Sequence, residues 1–91
     1  MRVEYSEQVK RNIIDIANYT EHEWGKSKRI ELIKQIADSI QVIVEFPRSA
    51  KFDVDLGLHY KLVSKLPFVI VYAVETDFIR VVRIVHTKRN R

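Results

Sequence analysis

The sequence predicts an α+β domain: an N-terminal strand, an antiparallel helical hairpin and a three-stranded antiparallel meander, giving a four-stranded sheet with helices on one face. Three observations predict it. Val, Ile, Tyr and Phe crowd three runs in the last third, Leu58 to Ser64, Phe68 to Val74 and Phe78 to His86, and such side chains suit a pleated, half-buried surface. The corners between them, Lys65-Leu66-Pro67 and Glu75-Thr76-Asp77, force antiparallel neighbours, because a parallel return takes a dozen residues or more. Ahead of the meander, two long segments carry apolar residues at three- and four-residue spacing, as helices with one buried stripe do.

Taken in order, Arg2 to Tyr5 alternates polar and apolar residues and reads as a short strand pairing inside the sheet. Ser6 is placed as an N-cap, and Glu7 suits the positive end of a helix dipole. Val9, Ile13, Ile16, Ala17 and Thr20 form the inward stripe of the first helix. Trp24 continues it as a core anchor, and Gly25 stops it as a left-handed cap. The second helix starts near Lys26 or Ser27, with Ile30, Ile33, Ala37, Ile40 and Val44 as its inner stripe and Ile36 and Ile43 widening it. It ends near Glu45, because Pro47 disfavours helical geometry at the residue before it. At roughly 1.5 Å per residue it is long enough to cross the whole sheet. Helices joined by one or two residues make an antiparallel hairpin. Arg48 to Leu56 has no clean period and reads as a loop. With no internal repeat and no linker, residues 1–91 make one domain.

Composition narrows the class of protein. The chain is 46% apolar with only two Gly and two Pro, which excludes a disordered segment. It has no cysteine, and a reducing cytoplasm is the simpler expectation for a domain too small to do without disulfides outside the cell. The first residues lack the apolar run of a signal peptide. Leu66 to Val74, the longest uncharged apolar stretch, is too short to span a bilayer, so no membrane partner is expected. A formal charge of +4 and a pI near 9.5 favour an anionic partner.

The charge is concentrated at the end of the last strand. No acidic residue follows Phe78, whereas Arg80, Arg83, Lys88, Arg89 and Arg91 surround His86. A histidine there can shuttle a proton between arginines that hold a phosphate, or it can cap the strand against neighbouring backbone. Strict alternation puts Arg83 with Ile79, Val81 and Val85 on one face, and Arg80 with Val82, Ile84 and His86 on the other. An arginine facing the uncovered side can dock a carboxylate or phosphate through its planar fork, or lay its stem over apolar surface. Tyr60, Phe68 and Tyr72 can stack bases or fill the core. His22, His59 and His86 are scattered without metal-ligand spacing, so no metal and no cofactor is expected. G-x-S-x-G and P-loop motifs do not occur.

The residues from Gly57 to Asn90 carry a resemblance. Gly57-Leu58-His59, then Lys65-Leu66-Pro67-Phe68-Val69-Ile70-Val71-Tyr72-Ala73-Val74, then Ile79-x-Val81-Val82-Arg83-Ile84-Val85-His86-x-x-Arg89-Asn90 resemble the pattern of the RelE/ParE toxin superfamily, the toxin half of type II toxin–antitoxin modules. Tyr19, Trp24-Gly25 and Pro47 echo its helical part, so the similarity spans nearly the whole chain. Pro67-Phe68, Tyr72 and His86-x-x-Arg89 look closer to the ParE branch, which is similar to gyrase poisons. His59, Ala73 and Thr87 depart from the pattern, two of them at positions where Arg is common. The resemblance implies a toxin that arrests growth, is neutralised by a cognate antitoxin, oligomerises through the antitoxin complex, and strikes DNA gyrase. The alternative is a RelE-like endoribonuclease acting on ribosome-bound mRNA, with His86, Arg83 and Arg89 as its catalytic set. Arg80, Arg83, His86, Lys88, Arg89, Arg91, His59 and Lys61 are the expected residues for target or antitoxin binding.

Overall fold

The computed structural model describes residues 1–88. Its elements are β1 (Arg2–Tyr5), α1 (Glu7–Trp24), α2 (Lys26–Glu45), β2 (Lys51–Asp53), β3 (Leu58–Leu62), β4 (Phe68–Val74) and β5 (Phe78–His86). The Ser6 hydroxyl accepts the Val9 N–H at 3.0 Å, satisfying one orphan donor of the first turn of α1. Gly25, at φ 95°, ends that helix in a conformation costly for a residue with a Cβ, and α2 follows at once.

The strands form one mixed sheet in the order β1-β5-β4-β3-β2, which corrects the expected four-stranded antiparallel arrangement twice. Lys51–Asp53 is a strand, not a loop, and pairs antiparallel with Leu58–Tyr60. Turn chemistry, invisible to periodicity, closes that hairpin: Asp53 Oδ1 accepts the N–H groups of Asp55 and Leu56 at 2.9 and 3.2 Å, and Gly57 sits at φ 68°. β1 lies at an edge and runs parallel to β5; the helical hairpin between them supplies the crossover length a parallel pair needs. β3 also stops short of Ser64, because the chain turns at Val63, whose N–H donates to the Phe68 carbonyl.

The hairpin covers one face of the sheet. Val9, Leu32, Ile36 and Ile43 meet Ile70, Tyr72, Ile79, Val81 and Ile84 in a single buried cluster, with Ile13 and Ile16 packed against it. α2 is rotated from expectation. Its core face is Leu32, Ile36, Ser39 and Ile43, while Ile33 and Ala37 are exposed and Ile30 is 63% exposed. Ser39 is the cause, since a polar residue interrupts the true stripe and leaves the flanking isoleucines as the cleaner pattern. Trp24 is 62% exposed and is not a core anchor.

A β-bulge sets the faces of β5. Val71 opposes Arg83 but Tyr72 opposes Val81, so Val82 is an extra residue. One inserted residue exchanges the two faces on either side of it. β1 covers β5 only from Phe78 to Val81, and beyond that point α1 and its cap serve the backbone. Ser6 donates its N–H to the Val81 carbonyl and its hydroxyl to the Val82 carbonyl. Asn12 Oδ1 accepts the Ile84 N–H at 3.0 Å. These three bonds take over part of the edge of β5 that β1 leaves open.

Candidate protein-docking site

The tip of the helical hairpin overhangs the end of the sheet and leaves an apolar groove of about 720 Å³ beneath it. Ile16, Tyr19 and Trp24 of α1 and Leu32 of α2 form one wall, and Leu66 and Phe68 form the other. Tyr19 and Trp24 meet edge to face at 5.8 Å and both expose large apolar area, the kind of surface on which ligands and other macromolecules dock. The polar rim carries Asp15, Lys65 and the Lys28–Glu31 ion pair. Sequence reasoning missed this groove, although the misfit of Trp24 with a helix-end glycine was its one available signal.

His86 lines the groove. Its partner across the sheet is Phe68, whose ring it meets edge-on at 5.2 Å. The Lys88 backbone N–H donates to Nδ1 at 3.1 Å, so Nδ1 is the acceptor nitrogen and the neutral ring carries its proton on Nε2. The strand-capping alternative is therefore the geometry His86 adopts.

Arg83 lies on the other side of the sheet. Because of the bulge it follows the parity of Arg80, not that of Val81 and Ile79, which corrects the simple alternation. Lys51, Tyr60, Val71 and Arg83 are successive cross-strand partners and form one row on the outer face. Arg83 has no ion pair or hydrogen bond among the described residues. Arg80 is tied to Glu75 through its Nε at 3.1 Å. So the structure brings Arg80 and Arg83 to one face and separates both from His86.

The remaining expected residues are dispersed. His59 is 4% exposed, its ring stacked on Tyr72 at 5.0 Å and against Phe52 at 4.6 Å. Tyr72 is wholly buried; burial pushes its phenol above the usual value, and its hydroxyl donates to the Pro47 carbonyl at 2.7 Å. That stack pins the α2–β2 connection to the sheet. Lys61 is half-buried opposite Ile70, on the helix-covered face. Lys88 is exposed in the turn after β5. Arg89 and Arg91 lie outside the described residues.

Residues 3–91 match the family described as the ParE toxin of the type II toxin–antitoxin system parDE. The chain belongs to the ParE toxin family. Its fold is that of a chain in the solved chromosomal ParDE system from P. aeruginosa: the TM-score is 0.83 at 14% sequence identity, covering 94% of this chain and 95% of that one. No curated protein matches by sequence. Among the described residues, no helix is long and apolar enough to cross a membrane.

Proposed function

We propose that this ParE-family chain arrests growth by binding DNA gyrase in the cytoplasm, and that an antitoxin silences it by seating an amphipathic helix in the groove under the hairpin tip. Membership of the ParE family over residues 3–91 supports the toxin reading. The observation that favours binding over RNA cleavage is the separation of His86 from Arg83. A ribonuclease of the kind considered needs its proton-transfer group and its phosphate-holding cation around one reacting atom. Here the histidine lines the groove with its Nδ1 taken by the Lys88 amide, while Arg83 stands on the opposite face.

The two faces divide the labour in this reading. The groove presents a wall of Ile16, Tyr19, Trp24, Leu66 and Phe68, the kind of surface that takes the apolar side of a helix. The outer face, with Arg83, is left for the target, together with the basic chain end from Lys88. Oligomers of the module then form through the antitoxin.

Inducible expression followed by a supercoiling assay on the purified chain tests this. Growth arrest together with loss of gyrase supercoiling is the expected result. Arrest with normal supercoiling and cleaved mRNA would transfer the chain to the ribonuclease class.

A further inference from the structure

We propose that the free chain pairs with a second copy of itself through the β2 edge, in an antiparallel dimer whose two-fold axis passes through Phe52. β2 ends the sheet on its side, so one row of its backbone groups has no strand to bond. An edge can template another chain, and a short strand with an edge lysine blunts that pairing unless the incoming strand answers the charge. Here the side chains favour one particular chain. β2 reads Lys51-Phe52-Asp53. Laid antiparallel on itself about Phe52, it sets Lys51 against Asp53 of the second copy and Asp53 against Lys51, with the two Phe52 rings together.

Opposite charges directly across a strand pair stabilise it, and like charges oppose it. Both residues are available. Lys51 is exposed and has no ion pair or hydrogen bond among the described residues. Asp53 uses Oδ1 for the turn amides of Asp55 and Leu56, which leaves Oδ2. Lys51 and Asp53 share the outer face, because their β3 partners Tyr60 and Leu58 are two residues apart, so the crossed pairs form on one side of the joined sheet.

The apolar area agrees. Phe46, Phe52, Val54 and Leu56 are all exposed around this edge, Phe52 by 51% and Val54 by 78%. An isologous contact uses each of them twice. The other edge is a useful contrast. β1 also has opposite charges flanking a central residue, Arg2 and Glu4 about Val3, but these already pair with each other at 3.1 Å, and Arg2 lies over the Phe78 ring. Of the two edges, β2 is the one whose cation, Lys51, has no ion pair or hydrogen bond among the described residues. The occupant is thus a copy of the chain, and a ten-stranded sheet results.

Sedimentation of the purified, antitoxin-free chain across the micromolar range tests the proposal. A concentration-dependent dimer is expected, and Lys51→Glu, which sets two like-charge pairs across the axis, raises its dissociation constant about tenfold. Asp53→Asn keeps the turn acceptor and weakens the dimer less. The natural chain has no cysteine, so Phe52→Cys places a single thiol on the axis and is expected to give a disulfide-linked dimer on oxidation. A chain that stays monomeric, with a Phe52→Cys variant that stays unlinked, would overturn the proposal. So would a dimer that Arg2→Glu weakens and Lys51→Glu leaves unchanged, because it would lie at β1.

Discussion

Arg83 and His86, three residues apart on β5, face opposite sides of the sheet: Arg83 opposes Val71 on the outer face, and His86 meets Phe68 at the groove. Three residues of ordinary strand put the first and last on opposite faces, so Arg83 and His86 do not share a site. The bulge at Val82 then decides which arginines go together. It carries Arg80 and Arg83 to the same side, away from the groove that His86 lines.

The bulge depends on contacts from α1. Asn12→Ala removes the acceptor of the Ile84 N–H and leaves a partly buried donor unsatisfied, a loss of about 1–3 kcal/mol. Urea unfolding should show a lower midpoint at unchanged slope. Asn12→Asp, which keeps an acceptor oxygen, should recover most of the loss.

α2 presents two apolar stripes: one is buried, and the other meets the core only through Ile40 and Val44 near its C-terminal end. Ile36→Ala should cost about 2–5 kcal/mol, whereas Ile30→Ala, on the exposed stripe, should fall within about 0.5 kcal/mol of the natural chain. Thermal unfolding of the two variants separates them clearly, and equal effects would mean that α2 is rotated from the orientation described.

Tyr72 ties pH to stability. Burial holds its phenol above the ordinary value of 10.0, so the folded chain keeps that proton where the unfolded chain begins to lose it. The resulting stabilisation is complete below pH 10 and declines as pH rises through the folded value. Tyrosinate absorbance should show one tyrosine titrating above the others. Tyr72→Phe should remove that component and cost about 1 kcal/mol through the lost bond to Pro47.

Trp24 separates docking from folding. Being largely exposed, Trp24→Ala should change stability by less than about 0.5 kcal/mol. In cells carrying both genes of the module, it should leave toxicity intact and weaken neutralisation. Unchanged rescue by the antitoxin would remove Trp24 from the groove's binding wall.

Much of this architecture was legible in the residues. The alternating runs and short corners place β4 and β5, and Ser6, Gly25 and Pro47 mark the helix ends, because these signals are local. What periodicity does not carry is partner choice and parity. β2 exists because Asp53 and Gly57 close a hairpin and Phe52 finds His59, contacts that no alternation announces. The bulge is likewise a consequence of where β1 stops and Asn12 reaches, a relation across 72 residues of chain. The groove escaped notice because its lining comes from four separate segments, and Trp24 read as core from spacing alone.

The most direct measurement compares His86→Ala with the natural chain in two parallel assays, gyrase supercoiling and cleavage of ribosome-bound mRNA. Inhibited supercoiling, intact mRNA, and an inhibition constant unmoved by the substitution are the predicted results, because His86 lies across the sheet from Arg83, which is on the face proposed for the target. Cleaved mRNA that becomes intact when His86 is replaced, with supercoiling unaffected throughout, would contradict the account.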